Sequence, residues 1–302
     1  MQSAASIILI LALSPLFAGI VNKLKARFVG KKGAPIVQPY FELYRIIRKE
    51  TVNSSNSSFI SPFAPLINFA AVVIAAAILP IGFLKPLISF EGDIILFAYL
   101  LGLGRFFQIL AAMDIGSSFQ GMGASREALF AVFAEPIFFF TVGSVAFISG
   151  LTSMSAVFQS ITLSNTVVIV FVIVCSISSF ILAVTECSRM PIDDPNTHLE
   201  LTMIHEVMIL DNSGFDLFFH KFSSFIKLFI YSVIITSFFY PFSVERGWIA
   251  LFIFFVVMFS ISVILAITET ITSRFRMKSI PQYLLFATGI GVLNLLIFTF
   301  SG

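Results

Sequence analysis

Charge is what this sequence has least of. Only 11% of its 302 residues are Asp, Glu, Lys or Arg, against about a quarter in an ordinary soluble domain. A soluble globular domain of this length is excluded on that ground. Histidine and cysteine are also scarce, with three and two copies. Cys175 and Cys187 form no CxxC arrangement, so neither an iron–sulfur cluster nor a structural zinc can be held without partners. No Lys/Arg tract interleaved with aromatics stands on a solvated segment, which excludes nucleic-acid binding. Nucleophile elbows and phosphate loops are missing too, so nothing supports Ser/His/Asp catalysis. Met1-Gln2-Ser3 lacks the basic start of a signal peptide, and the first apolar run is expected to stay as a helix.

Apolar residues fill the space that charge leaves. They make up 58% of the chain and include 38 Phe, with a mean hydropathy of +1.02. Runs apolar on all sides recur, each long enough to cross a hydrocarbon layer of about 30 Å as a helix. A β-barrel would instead need alternating strands. The expected fold is all-α: one integral membrane domain over 1–302, with about eight transmembrane helices plus a surface amphipathic helix. The spans are read as Ala4–Val21, Pro62–Leu84, Ile94–Met113, Glu127–Ser149, Ile161–Thr185, Phe219–Tyr240, Trp248–Ile271 and Pro281–Phe300. No internal repeat of the kind many transporters carry is visible.

Basic residues set the orientation. Fourteen of the eighteen Lys and Arg fall in alternate loops, and only Lys85 and Arg246 in the others. The alternate loops are therefore expected in the cytoplasm, and both termini on the non-cytoplasmic side of the cell inner (cytoplasmic) membrane. Two cytoplasmic loops are long, 22–61 and 186–220. In the first, Val37, Tyr40, Phe41, Tyr44 and Ile47 recur at helical spacing, with Gln38, Glu42, Arg45 and Lys49 opposite. That pattern suits an anchor lying on the membrane surface rather than a mobile gate. His198 and His205 share a face of an expected loop helix, but a rise of about 10 Å separates them, too far to share a metal.

Ionisable groups inside spans cost several kcal/mol, about 2.5–3.5 each on insertion scales, and need a partner or a purpose. Arg105, Glu135, Lys227 and Glu269 fall inside; Asp114, Glu127, Glu186 and Arg189 fall at inner span ends. Most lie toward the cytoplasmic side, with Arg105 nearest the middle, and the outer half is nearly charge-free. A straight ion channel should be polar at all depths. The distribution suggests a pocket opening on the cytoplasmic side, or a charged path running sideways in the membrane plane. Buried ion pairs that fix helix packing are the plainer alternative. Glu135 precedes Pro136, which frees backbone groups in the turn before it. A desolvated Glu there could hold or pass a proton.

Four stretches carry a family resemblance over essentially the whole chain. They are Lys31-Lys32-Gly33-Ala34-Pro35 with Gln38-Pro39 and Lys49-Glu50; Arg105-Phe106-Phe107 with Asp114-Ile115-Gly116-Ser117, Gly123 to Ala128 and Glu135-Pro136; Glu186 to Asp193 with Glu200-Leu201 and Ser213-Gly214; and Glu269 with Arg274-Phe275-Arg276. Together they resemble the membrane subunit shared by respiratory complex I, as its subunit 1, and the energy-converting (group 4) nickel–iron hydrogenases, with the formate hydrogenlyase subunit 4 branch nearest. Asp194-Pro195-Asn196-Thr197-His198 stands where complex I has a leucine and an acidic run, which favours the hydrogenase branch over a quinone-reducing one.

The resemblance implies a non-catalytic anchoring and coupling subunit of an oxidoreductase complex, linking cytoplasmic redox chemistry to proton or sodium translocation. Its partners would be a hydrogenase-like large subunit, iron–sulfur subunits, antiporter-like membrane subunits and the lipid bilayer. Iron–sulfur clusters and, in the hydrogenase branch, a nickel–iron centre would sit in those partners, with no cofactor in this chain. The resemblance places Glu135, Glu186, Arg189, Asp193 and Glu200 on the coupling path, with Arg105, Asp114, Glu127 and Glu269 beside it. Complex I subunit 1 proper, with a quinone site, and an independent secondary ion transporter are the alternatives.

Overall fold

The computed structural model describes residues 2–301 apart from 53, 55, 56, 162–165, 194–202 and 241–246. In chain order the elements are α1 (Gln2–Phe28), α2 (Gln38–Ile47), α3 (Ile60–Ile78), α4 (Asp93–Asp114), α5 (Ser118–Ser149), α6 (Met154–Ser160), α7 (Thr166–Glu186), α8 (His205–Met208), α9 (Gly214–Phe239), α10 (Trp248–Ile271) and α11 (Ile280–Ser301). Eight of these are long and apolar enough to span a membrane. A helix satisfies nearly all of its own backbone, which lipid demands; Pro15, Pro65 and Pro136 each leave one carbonyl a turn earlier without its helical N–H. Helix hydroxyls bond back to carbonyls four residues earlier, as Ser232 does to Leu228 and Thr236 to Ser232. The protein is an all-α, multi-pass membrane protein.

α9 is the central post. Every residue from Ile226 to Phe238 is buried, because α1, α3, α7 and α10 surround it. A helix apolar on all sides belongs in such a position. α3 and α4 form the closest pair. Gly104 permits it: a Cβ there would stand 2.5 Å from Asn68 Oδ1.

Several boundaries differ from the sequence reading, each for a tertiary reason. α1 continues to Phe28, so Lys23, Lys25 and Arg27 ride on the helix instead of the loop. α5 begins at Ser118, nine residues before the expected start, which puts Glu127 inside a helix and not at its end. The glycine-rich segment is helical because Gly123 lets α8 approach: a Cβ there would lie 2.3 Å from Val207. Arg126 also donates to the Met203 carbonyl at 2.9 Å. α9 begins at Gly214, and the first long loop docks on it through Val52 N to Ser213 Oγ at 2.8 Å. α6 precedes the expected fifth span as a separate short helix and packs Phe158 edge-on against Phe238.

The amphipathic helix is present as α2, with Pro39 and Leu43 buried against the body and Phe41 and Tyr44 exposed. Of the expected second loop helix, only the single turn His205–Met208 falls among the described residues; His198 lies outside them.

Candidate functional site

The basic loops gather at one end of the bundle, called here the basic face, and the charged side chains gather below it in two clusters. Arg105 organises the first. It is 5% exposed on α4. Its guanidinium bonds to Glu186 at the end of α7. Glu127 Oε1 on α5 lies 3.7 Å from its Nε, and Glu135 Oε1, two turns further along α5, lies 3.6 Å from its Nη1. One arginine thus faces three carboxylates from two helices. The i, i+8 spacing of Glu127 and Glu135 puts both on the face of α5 that meets α4.

Glu135 differs from its neighbours. Its side chain is 58% exposed, against 6% for Arg105 and Glu186. It lines a cleft of about 500 Å³ between α4 and α5, with Arg105, Glu186 and Tyr231 at the back and Tyr99, Phe106 and Phe139 at the rim. The cleft opens sideways from the bundle, where lipid or another protein must face it. A second, far smaller void holds Arg105, Glu127 and Glu186, and a third holds Glu186 and Lys227. Glu186 is the carboxylate common to all three.

The second cluster sits closer to α1 and α10. Glu269 is buried on α10, with Arg189 Nη1 3.1 Å from Oε1 and Lys25 Nζ 3.1 Å from Oε2. Asp193 takes Arg274 Nη2 at 2.7 Å and the backbone N–H groups of Ile204 and His205 at 3.1 and 3.2 Å. The Phe275 N–H donates to the Pro191 carbonyl at 2.8 Å, so the α10–α11 turn and the segment after α7 are fastened together. Burial, reinforced by the charge of Lys227, pushes His205 down to about 4, and burial pushes the Cys187 thiol up to about 12. Both groups are neutral near pH 7.

The nine site residues named from sequence thus separate. Arg105, Glu127, Glu135 and Glu186 come together; Arg189, Asp193 and Glu269 form a second group. Asp114 stands apart, accepting the Ser58 N–H at 2.8 Å and tying the first long loop to the end of α4. Glu200 lies outside the described residues. Two buried residues of the Asp, Glu, Lys and Arg types were absent from that set. Lys227, noted as a charge within a span, is buried beside Glu186. Asp93, at the opposite end, is fully buried and accepts the Met154 N–H at 2.6 Å and the Ser153 hydroxyl at 3.0 Å. Its place at the start of α4 was the available signal: a carboxylate beside free helix N–H groups. Among the described residues, no group of three or more His, Cys, Asp or Glu is placed to hold a metal.

Fold and site define a polytopic membrane protein whose buried charges run across the bundle near one face, with a lateral opening. Residues 2–299 match the NADH dehydrogenase family model, and the chain belongs to that family. It is 27% identical over 241 residues to hydrogenase-4 component C of Escherichia coli K12, covering 79% of this chain and 74% of that one. It is 26% identical over 198 residues to formate hydrogenlyase subunit 4 of the same organism, covering 64% and 63%. A subunit of the NADH-quinone oxidoreductase of Thermomicrobium roseum is 25% identical over 250 residues, covering 74% and 72%. In fold the chain is similar to a chain of the membrane-bound sulfane sulfur reductase, an archaeal respiratory membrane complex. That likeness has a TM-score of 0.82 at 20% identity and covers 98% of this chain and 97% of the other.

Proposed function

We propose that this chain is the membrane-anchoring and coupling subunit of an energy-converting, hydrogenase-like complex. It joins redox chemistry on the cytoplasmic face to proton or sodium translocation in neighbouring membrane subunits. The basic face is the cytoplasmic one, and both termini lie on the other side. The observation that carries the reading is the Arg105 cluster: three carboxylates around one buried cation, ending on Glu135 at a lateral cleft. A carboxylate in excess over its cations can take up a proton, and an exposed one beside a cleft can hand it to a neighbour. An ionisable group on a lipid-facing surface costs about 2.5–3.5 kcal/mol at mid-bilayer, so a polar partner subunit at the α4–α5 gap suits Glu135 better than lipid does.

A hydrogenase-like large subunit and iron–sulfur subunits would bind the cytoplasmic face. The clusters, and a nickel–iron centre where one is retained, belong to those partners. Antiporter-like subunits would lie in the membrane plane. Gentle solubilisation is expected to recover the chain with iron–sulfur proteins and a large cytoplasmic subunit. A chain that runs alone after such extraction, or that moves ions by itself in liposomes, overturns the proposal.

One observation favours complex I subunit 1 proper as a second reading. The α4–α5 cleft is apolar at its rim and charged at its base, a shape that accepts an amphiphile such as a quinone. Crosslinking of a photoreactive quinone analogue to α4 or α5 would select it; no labelling there removes it.

A further inference from the structure

The third void lies where α3, α4, α7, α8 and α9 meet, and its lining is almost entirely polar. Asn68, Gln108, Glu186, His205, His220 and Lys227 all face it. Asn68, Gln108 and His220 are 0%, 4% and 3% exposed, yet several of their polar atoms have no hydrogen-bond partner among the described residues. These are both polar atoms of Asn68, Oε1 of Gln108 and Nε2 of His220. Gln108 Nε2 and His220 Nδ1 are 3.0 Å apart. With the amide donating, the neutral imidazole carries its proton on Nε2 and presents a donor to the void. Lys227 adds a further donor, while Gln108 Oε1 and Asn68 Oδ1 are acceptors. Buried polar atoms are satisfied in native proteins, by protein or by ordered water.

Size and charge select the ligand. The free volume is about 10 Å³, close to the roughly 10–15 Å³ that one water needs on this measure. A metal cation would meet the charge of Lys227, and an anion would meet Glu186. Water alone both donates and accepts without charge. Lys227 and Glu186 line the same void, yet no carboxylate among the described residues comes within ion-pair distance of Lys227. Around Lys227 stand Glu186 and Cys187 from the end of α7, Arg105 from α4, Glu127 from α5, His205 from α8 and His220 on its own helix.

We propose that this void binds one ordered water, which bridges Lys227 to Glu186 and makes Lys227 the proton donor to Glu186. The water takes a proton from the Lys227 ammonium and gives one of its own to a Glu186 oxygen. Lys227 is left as the neutral amine and Glu186 as the neutral acid. The amine takes its next proton from water on the basic face, passed across the imidazole of His205, which borders the same void and is neutral between transfers. The relay role rests on the coupling reading above; the water site does not.

The test uses the intact complex in membranes. Synchrotron hydroxyl-radical footprinting in water enriched in heavy oxygen marks side chains beside bound water. Cys187 and His220, both buried, are expected to be labelled strongly, whereas Cys175, also buried but away from the void, is not. Labelling of Cys187 and His220 no stronger than that of Cys175 overturns the water site. For the relay, ions moved per electron are measured in Lys227→Met and Lys227→Arg. Arginine keeps the charge but does not release its proton, so both variants are expected to lose several-fold. Recovery of the wild-type ratio in Lys227→Arg overturns the donor role and leaves Lys227 a structural charge. If the wild-type complex moves no ions while Cys187 and His220 are labelled, the relay falls with the coupling reading and the water site stands.

Discussion

The two charged clusters are built from the same residue types and differ in their balance. Around Arg105, three carboxylates share one cation in direct contact. Around Glu269 and Asp193, two carboxylates share Lys25, Arg189 and Arg274, and Asp193 gains two backbone donors besides. In the first cluster the carboxylates outnumber the cations in contact; in the second the cations outnumber the carboxylates. The first cluster also opens on a cleft, while the second ties α1, α10 and the segment after α7 together. On the coupling role proposed above, the first would change state and the second hold still.

Removing Arg105 should break the comparison hardest. Arg105→Leu leaves Glu127, Glu135 and Glu186 mutually repelling with no cation in contact. Loss of one partner from a buried pair costs about 3–5 kcal/mol, a large part of the stability of a folded domain. The expected result is failure to accumulate in the assembled complex, read by blue-native electrophoresis of membranes. Normal assembly would mean the three carboxylates are already largely protonated, and the excess-charge argument would fall. Next in size is Glu135→Gln. Exposed on the cleft, it should assemble normally and reduce ions moved per electron several-fold. An unchanged ratio returns Glu135 to a packing role.

Glu269→Gln sharpens the contrast from the other side. It removes the charge that Lys25 and Arg189 share, so the melting temperature of the solubilised complex should fall, by an amount corresponding to about 3–5 kcal/mol at most. The ratio of ions to electrons should hold in whatever complex survives. A coupling defect without a stability loss would move the second cluster into the path.

Fold class was legible because it rests on long apolar runs, which no tertiary detail can hide. All eight spans are present, with errors at their ends. Two of those errors share a cause: α5 and α9 start early because Gly123 and Gly214 admit a neighbouring segment, a contact that propensity does not encode. The Cβ of a substituted Gly214 would lie 2.8 Å from the Lys49 carbonyl, and its φ of +51° favours glycine in any case. The charged residues were visible too, but not their partition. Arg105 and Glu186 are 81 positions apart, as are Asp193 and Arg274. Nothing along one chain says which carboxylate meets which cation. Asn68 and Gln108 gave no signal, since uncharged amides in a span become informative only when their neighbours are known.

His205 lies on the seam, with its N–H held by Asp193 of the second cluster and its ring bordering the void beside Glu186 of the first. It gives the smallest expected effect. Its folded value of about 4 lies below the ordinary 6.5, so between those values the unfolded chain binds a proton that the folded chain refuses. The stability it contributes is complete above about pH 6.5 and is lost as the pH falls toward 4. His205→Gln removes the titration. The wild-type complex should therefore lose more melting temperature than the variant across that window, and the two should run parallel above it. Equal losses in both would show that His205 is free to charge in place. It would then belong with the groups that can change state, and the boundary between the two clusters would move to Asp193.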